Sequence, residues 1–169
     1  MKNTIKVFVL VALTLAAMSV SAQVKLGHIE TQKLIQAMPE WTAAQKTFEE
    51  EQKKVNTELN SLREQFQTKL AEYSEKMKTY SEAMRATTEE ELQGLQQRIQ
   101  RFQETAMAQL EKTQNDLMQP VMEKALNAIK EVGKENGFTY IFDMNAGILY
   151  AAENSQDVLL LVKKKLGLQ

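Results

Sequence analysis

From Glu40 to about Arg85 the chain has neither proline nor glycine. Apolar side chains recur there at Trp41, Phe48, Val55, Leu59, Leu62, Phe66, Leu70, Tyr73, Met77, Tyr80 and Met84. From Val55 the steps are 4, 3, 4, 4, 3, 4, 3 and 4 residues. That spacing predicts one long helix with a narrow apolar stripe close to a heptad seam. The extra four-residue step at Phe66–Leu70 locally relaxes a left-handed supercoil. A second stripe follows: Leu92, Leu95, Ile99, Phe102, Ala106, Leu110, Leu117, Val121, Ala125, Ile129 and Val132. Between them lies Ala86-Thr87-Thr88-Glu89-Glu90-Glu91. Thr88 with Glu91 has the spacing of a capping box, and three glutamates suit the positive end of a helix dipole. The second helix is therefore expected to start there and to run to Gly133 or Gly137, each helix being about 70 Å long. Two long helices of equal length joined by a few residues pack as an antiparallel hairpin. Their stripes can cover each other but cannot build a thick core, so the hairpin is expected to project as an arm. Gly94 weakens it near the tip, and Pro120 interrupts the backbone bonding of the returning helix.

Outside the arm the period changes from helix to strand. Lys25–Glu30 reads as a short strand, and Thr31 can cap a brief helix through Leu34, Ile35 and Ala37. Pro39 then suits the first turn of the long helix. Phe138–Asp143 is rich in aromatic and β-branched residues, Asn145-Ala146-Gly147 can turn the chain, and Ile148–Ala152 reads as the partner strand of a hairpin. Ser155 or Asp157 can cap a last helix, Val158 to Leu166, ended by Gly167. The fold class is thus α+β, predominantly α. A base of residues 23–39 and 133–169 carries an inserted helical arm of residues 40–132. The base, roughly 60 residues, is small for an independent core. Phe138, Tyr140 and Phe142 alternate to one face of their strand, Thr139 and Ile141 to the other. Both faces are partly apolar, and assembly of several copies would cover both. Ile29, Phe138, Tyr140, Phe142, Ile148 and Tyr150 are the candidates for that contact.

The first 22 residues read as an address. Lys2 and Lys6 precede an apolar run from Val7 to Ala17, and Val20-Ser21-Ala22 offers small residues for signal-peptide cleavage before Gln23. The run is shorter than the roughly 20 residues a spanning helix needs. Export is expected, and with no cysteine in the chain a lipid-modified N-terminus is not. That absence rules out disulfides and thiolate metal sites.

Lys and Arg number 21 against 22 Asp and Glu; without Lys2 and Lys6 the balance is 19 to 22, a net −3. Such a balance gives no basic footprint for nucleic acid. His28 is the single histidine and has no ligand or orienting partner at useful spacing. No glycine-rich phosphate loop or nucleophile elbow is present in the sequence. No catalytic, cofactor or metal residue is therefore proposed, and no enzyme activity is expected. One group of side chains has two readings. Phe66, Tyr73, Met77, Tyr80, Met84 and Met107 lie on or beside the arm seam. They can be hairpin core, or they can form a pliable apolar surface, since methionine adapts to irregular contacts.

Lys25-Leu26-Gly27-His28-Ile29-Glu30-Thr31-Gln32-Lys33-Leu34 resembles the opening strand and turn of the Skp/OmpH-like periplasmic chaperones. The runs Pro120–Ala125, Ala128–Val132, Gly137–Asp143 and Gly147–Tyr150, then Asp157-Val158, resemble the rest of that family's frame. The arms match by pattern only. The resemblance implies an ATP-independent holdase in which three chains join at their bases. Three arms then enclose a cavity for unfolded outer-membrane β-barrel proteins. The implied partners are those clients, two further copies of the chain and, weakly, a membrane surface. The implied location is the periplasm. Two departures stand out: Asp157-Val158 lacks the threonine that often follows the aspartate, and residues 40–116 carry 15 acidic and 11 basic side chains, a net −4. Strongly basic arms in some relatives favour acidic clients and anionic lipid; this arm does not have them. Pro120, close to where arm meets base, is the candidate hinge. A purely structural coiled-coil spacer or adaptor of the cell envelope is the competing reading.

Overall fold

The computed structural model describes residues 24–152 and 155–168; the expected signal peptide and cleavage site lie outside them. The described elements are β1 (Leu26–Ile29), α1 (Thr31–Gln36), α2 (Pro39–Lys76), α3 (Glu82–Glu135), β2 (Tyr140–Asp143), β3 (Gln156–Asp157) and α4 (Leu159–Lys165). The hairpin arm is formed by α2 and α3. The sheet and the short helices form the body.

Pro39 opens α2 at its first turn, as its missing N–H permits. The turn of the arm comes earlier than the sequence suggested. Helix α2 ends at Lys76, and Ser81 caps α3, its Oγ accepting from the Met84 N–H at 3.3 Å. The helices have 38 and 54 residues, about 57 and 81 Å, rather than equal lengths. Thr88 does not cap anything: its hydroxyl donates to the Met84 carbonyl 2.8 Å away, within α3. Glu91 instead pairs with Lys69 across the arm, and Glu89 accepts from the Tyr73 hydroxyl. With Glu40–Lys124 at the root, these cross-links define one antiparallel register whose midpoints fall on Tyr80, Ser81 and Glu82. The capping-box spacing at Thr88 was outweighed by that register.

The sheet also differs from the expected hairpin. Its order is β2-β1-β3, and both neighbours run parallel to β1. Leu26 faces Tyr140, His28 faces Phe142 and Asp157. The predicted turn after β2 does form: Asp143 Oδ1 accepts from the Asn145 N–H at 3.0 Å, and Gly147 takes φ +85°. Ile148–Ala152 forms no strand, however, and the chain closes on the far edge of β1 through β3. A turn signal is local, whereas the partner of a parallel strand is set by a long connection. Here the connection is the entire arm.

Ile29, Leu34, Ile35, Met38, Ala44, Val121, Ala125, Ala128, Val132, Val158 and Val162 form one buried cluster beneath the sheet. The core thus climbs α3 as far as Val121. Helix α3 ends in a Schellman arrangement, with the Phe138 N–H donating to the Gly133 carbonyl at 2.9 Å and Gly137 at φ +68°. Val158 takes the N-cap place of α4 without a side-chain cap, and Asp157 just before it supports the start, its Oδ1 accepting from the Leu159 N–H at 2.8 Å. Thr31 does not cap α1. Its own N–H is instead held at 3.3 Å by Asp143 Oδ1 from across the body.

Candidate client-binding and assembly surfaces

The arm buries little. Among the described residues of its two helices above the body core, Leu62, Leu92 and Ala106 are buried. Leu70, Met77, Met84 and Met107 remain exposed, Met107 at 73%. This follows from two narrow stripes meeting with no third layer. At the tip, Tyr73 and Tyr80 hold their rings 6.4 Å apart at 46°. Met77 and Met84 flank the same turn. The Arg85 side chain braces it by donating from Nε to the Tyr80 carbonyl at 3.2 Å. Four of the six candidate contact residues therefore gather at the tip. Phe66 is half-buried further down the seam. Met107 stands alone, about 35 Å along α3 from Met84 at helical rise. Leu70 was missed as an exposed residue because its place in the stripe reads as seam.

Some of the charge near the tip is paired across the arm. Glu91 lifts the Lys69 ammonium pKa above its usual value, and Glu89 does the same for the Tyr73 phenol by accepting its hydrogen bond. At the root, Lys124 lowers the Glu40 carboxyl.

On the body, the six assembly candidates part company. Ile29 is 1% exposed and lies within the chain's own core. Phe138 packs on that core beneath Gly27, with the Lys25 ammonium 4.2 Å from its ring centroid. Tyr140 and Phe142 point outward, 60% and 44% exposed, stacked with centroids 6.0 Å apart. Leu26 and Val24 are exposed beside them. Ile148 is half-buried, Tyr150 is 80% exposed and Leu149 98%. Leu26 and Leu149 were missed, the first because a single apolar residue beside lysine and glycine carries no pattern. His28 Nδ1 and Ser155 Oγ lie 2.8 Å apart, so the lone histidine pins the closing segment to the sheet.

Helix α3 runs unbroken through Pro120, which is exposed at the level where the body core begins. Two cross-links sit near it: Lys124–Glu40, and Lys165 held by Glu135 at 2.6 Å and Glu131 at 3.1 Å.

Among the described residues no cluster of His, Asp or Glu could hold a metal ion. No described helix is long and apolar enough to cross a membrane. No curated protein sequence matches the chain. The sequence model of the OmpH-like outer membrane protein family matches residues 25–166, from the residue before β1 to the end of α4. The match takes in every described element, so the arm and the body fall within one family frame. The chain belongs to the OmpH-like family, a family of periplasmic chaperones of outer-membrane proteins.

Proposed function

We propose that this protein is an ATP-independent holdase of the periplasm, delivered there by cleavage of residues 1–22, and that it works without catalysis. The observation that carries the reading is the arm itself. A projecting hairpin leaves Leu70, Met77, Met84 and Met107 in solvent, backed by the tyrosine pair at the tip. Such a surface gains by covering apolar segments of an unfolded chain, and methionine side chains adapt to segments of differing shape. A spacer would be expected to seal its seam, and this one is not sealed. The clients we propose are unfolded outer-membrane β-barrel proteins, held through Phe66, Tyr73, Met77, Tyr80, Met84 and Met107.

We further propose a homotrimer assembled on the outer face of the sheet. All-parallel sheets are almost always covered on both faces. Here the inner face meets the core, while Tyr140, Phe142, Leu26 and Val24 face solvent in the single chain. Contact with a membrane surface would be weak at this charge.

The deciding experiment is suppression of aggregation. A denatured outer-membrane barrel protein is diluted into buffer with and without the mature chain, omitting nucleotide. Clear solution at near-stoichiometric chaperone supports the reading. Equal light scattering in both samples refutes it.

A further inference from the structure

We infer that the root of the arm carries a binding site for a single uncharged aromatic side chain of a client polypeptide. This rests on the reading of the protein as a holder of unfolded chains and adds to it a specific subsite away from the tip.

The site is a cleft of about 220 Å³ between α2 and α3, just above the body core. Its floor is Trp41, Ala44, Phe48, Leu117 and Met118, and its rim is Gln45 and Gln114. The sequence explains why it is hollow. The apolar stripe of α3 steps seven residues from Leu110 to Leu117, leaving Thr113 and Gln114 at the intervening turn. On α2 the small Ala44, between Trp41 and Phe48, lines the same cleft. A small residue on one helix and a polar turn on the other leave this stretch of the seam underfilled.

Three features select the occupant. The first is size: an apolar cavity of roughly 150 Å³ takes a benzene ring, so this one takes a benzyl or hydroxybenzyl group. The second is the absence of charge. Each of the three other clefts described, of about 790, 430 and 250 Å³, includes ionisable side chains, whereas no lining residue of this one is ionisable. A charged group would lose its hydration there without a partner. The third is the chemistry of floor and rim. Trp41 and Phe48 offer ring contacts and Met118 a thioether beside them. The two glutamine amides each supply donor and acceptor groups, suited to the peptide units on either side of the captured side chain. Trp41, Leu117 and Met118 also pack against the body core, which fixes the floor.

Trp41 is the single tryptophan, so its fluorescence reports the cleft without a label. The full mature chain is titrated with a blocked Gly-Gly-Phe-Gly-Gly peptide and with the same peptide carrying Glu or Ala in place of Phe. The Phe peptide is expected to give a saturable change in emission and to bind about ten- to a hundredfold more tightly than the other two. Gln114→Phe puts a ring into the gap from a position the heptad leaves open. It should keep the helical circular dichroism and abolish the response. Failure of the wild type to respond, an equal response to the Glu peptide, or an unaltered response in Gln114→Phe would overturn the inference. Aggregation of the barrel client is measured in parallel. A chain that responds to the Phe peptide but does not suppress aggregation would sink the holdase reading and leave the cleft standing. The reverse result would sink the cleft alone.

Discussion

A β-carbon built on Gly27 would lie 2.9 Å from Cε1 of Phe138 and 3.1 Å from Cγ1 of Val158. Neither neighbour is free to swing away, since Phe138 packs on the core and Val158 is buried. Gly27→Ala should therefore cost about 1–3 kcal/mol as overpacking, read as a lower denaturant midpoint with unchanged slope. The residue matters for the space it leaves rather than for its backbone. Asp143 works through its oxygens. Burial pushes its carboxyl pKa up, but the N–H groups of Asn145 and Thr31 outweigh that and hold it below the ordinary 3.8. A depressed carboxylate contributes stability above its unfolded value, and loses it as pH falls through the lower folded value. Asp143→Ala should thus cost about 1 kcal/mol near neutrality, by leaving the Thr31 and Asn145 N–H groups without their acceptor. The gap to wild type should narrow below about pH 4 in urea melts run across pH. No charge pattern pointed to Asp143, because its partners are backbone groups 112 residues away and two residues on.

At the level of elements, the helices and their ends at the body were legible, and the turn between them at the arm tip was not. Periodicity marks a face, and the first stripe runs across the true turn without a break, through Met77, Tyr80 and Met84. Thr87, Thr88 and the glutamates then supplied a start signal that tertiary pairing overrode. What would have located the turn is the cross-arm register, with Lys69 opposite Glu91 and Tyr73 opposite Glu89. The tip cluster of Tyr73, Met77, Tyr80 and Met84 was legible for the same reason that the turn was not. Its members continue the stripe past the point where a partner helix exists to cover them. The candidate hinge belongs to this scale as well. Pro120 deprives the Asp116 carbonyl of a helical partner, at the point where α3 leaves the core. Pro120→Ala should stabilise the helix by at most about 3 kcal/mol. It should also narrow the distribution of distances between spin labels at the arm tips, and weaken capture of large clients more than of small ones. An unchanged distribution would move the hinge elsewhere, with the Gly133–Gly137 stretch next in line.

For the whole molecule, the outer face of the sheet is the feature with the largest consequence for assembly. Its two aromatic residues were read correctly as a pair on one face. Phe138 was misplaced with them because it precedes β2 and turns inward under Gly27. Tyr140→Asp should dissociate the proposed trimer, since a carboxylate left unpaired in an apolar contact loses its hydration. Sedimentation equilibrium would show monomer at concentrations where the wild type is threefold heavier. The mildly acidic arm should in turn make client capture only moderately sensitive to salt, with apolar area outweighing ion pairing.

The sheet joins strands from opposite ends of the chain, Leu26 beside Tyr140 and Gly27 beside Gln156. Such pairings carry a high contact order, and a chain dominated by them folds slowly. The arm removes the penalty. Its register brings residues near in sequence together at the tip and residues far apart together at the root, so it can close like a zip from Ser81 downward. Each turn that closes shortens the loop left to be ordered, and the body strands arrive already side by side. Folding should therefore be nucleated at the tip and completed in the body. Ser81→Ala, which removes the cap on α3, should chiefly slow refolding. Val162→Ala in the body core should chiefly speed unfolding. Stopped-flow chevrons with the two effects reversed would place the nucleus in the sheet instead.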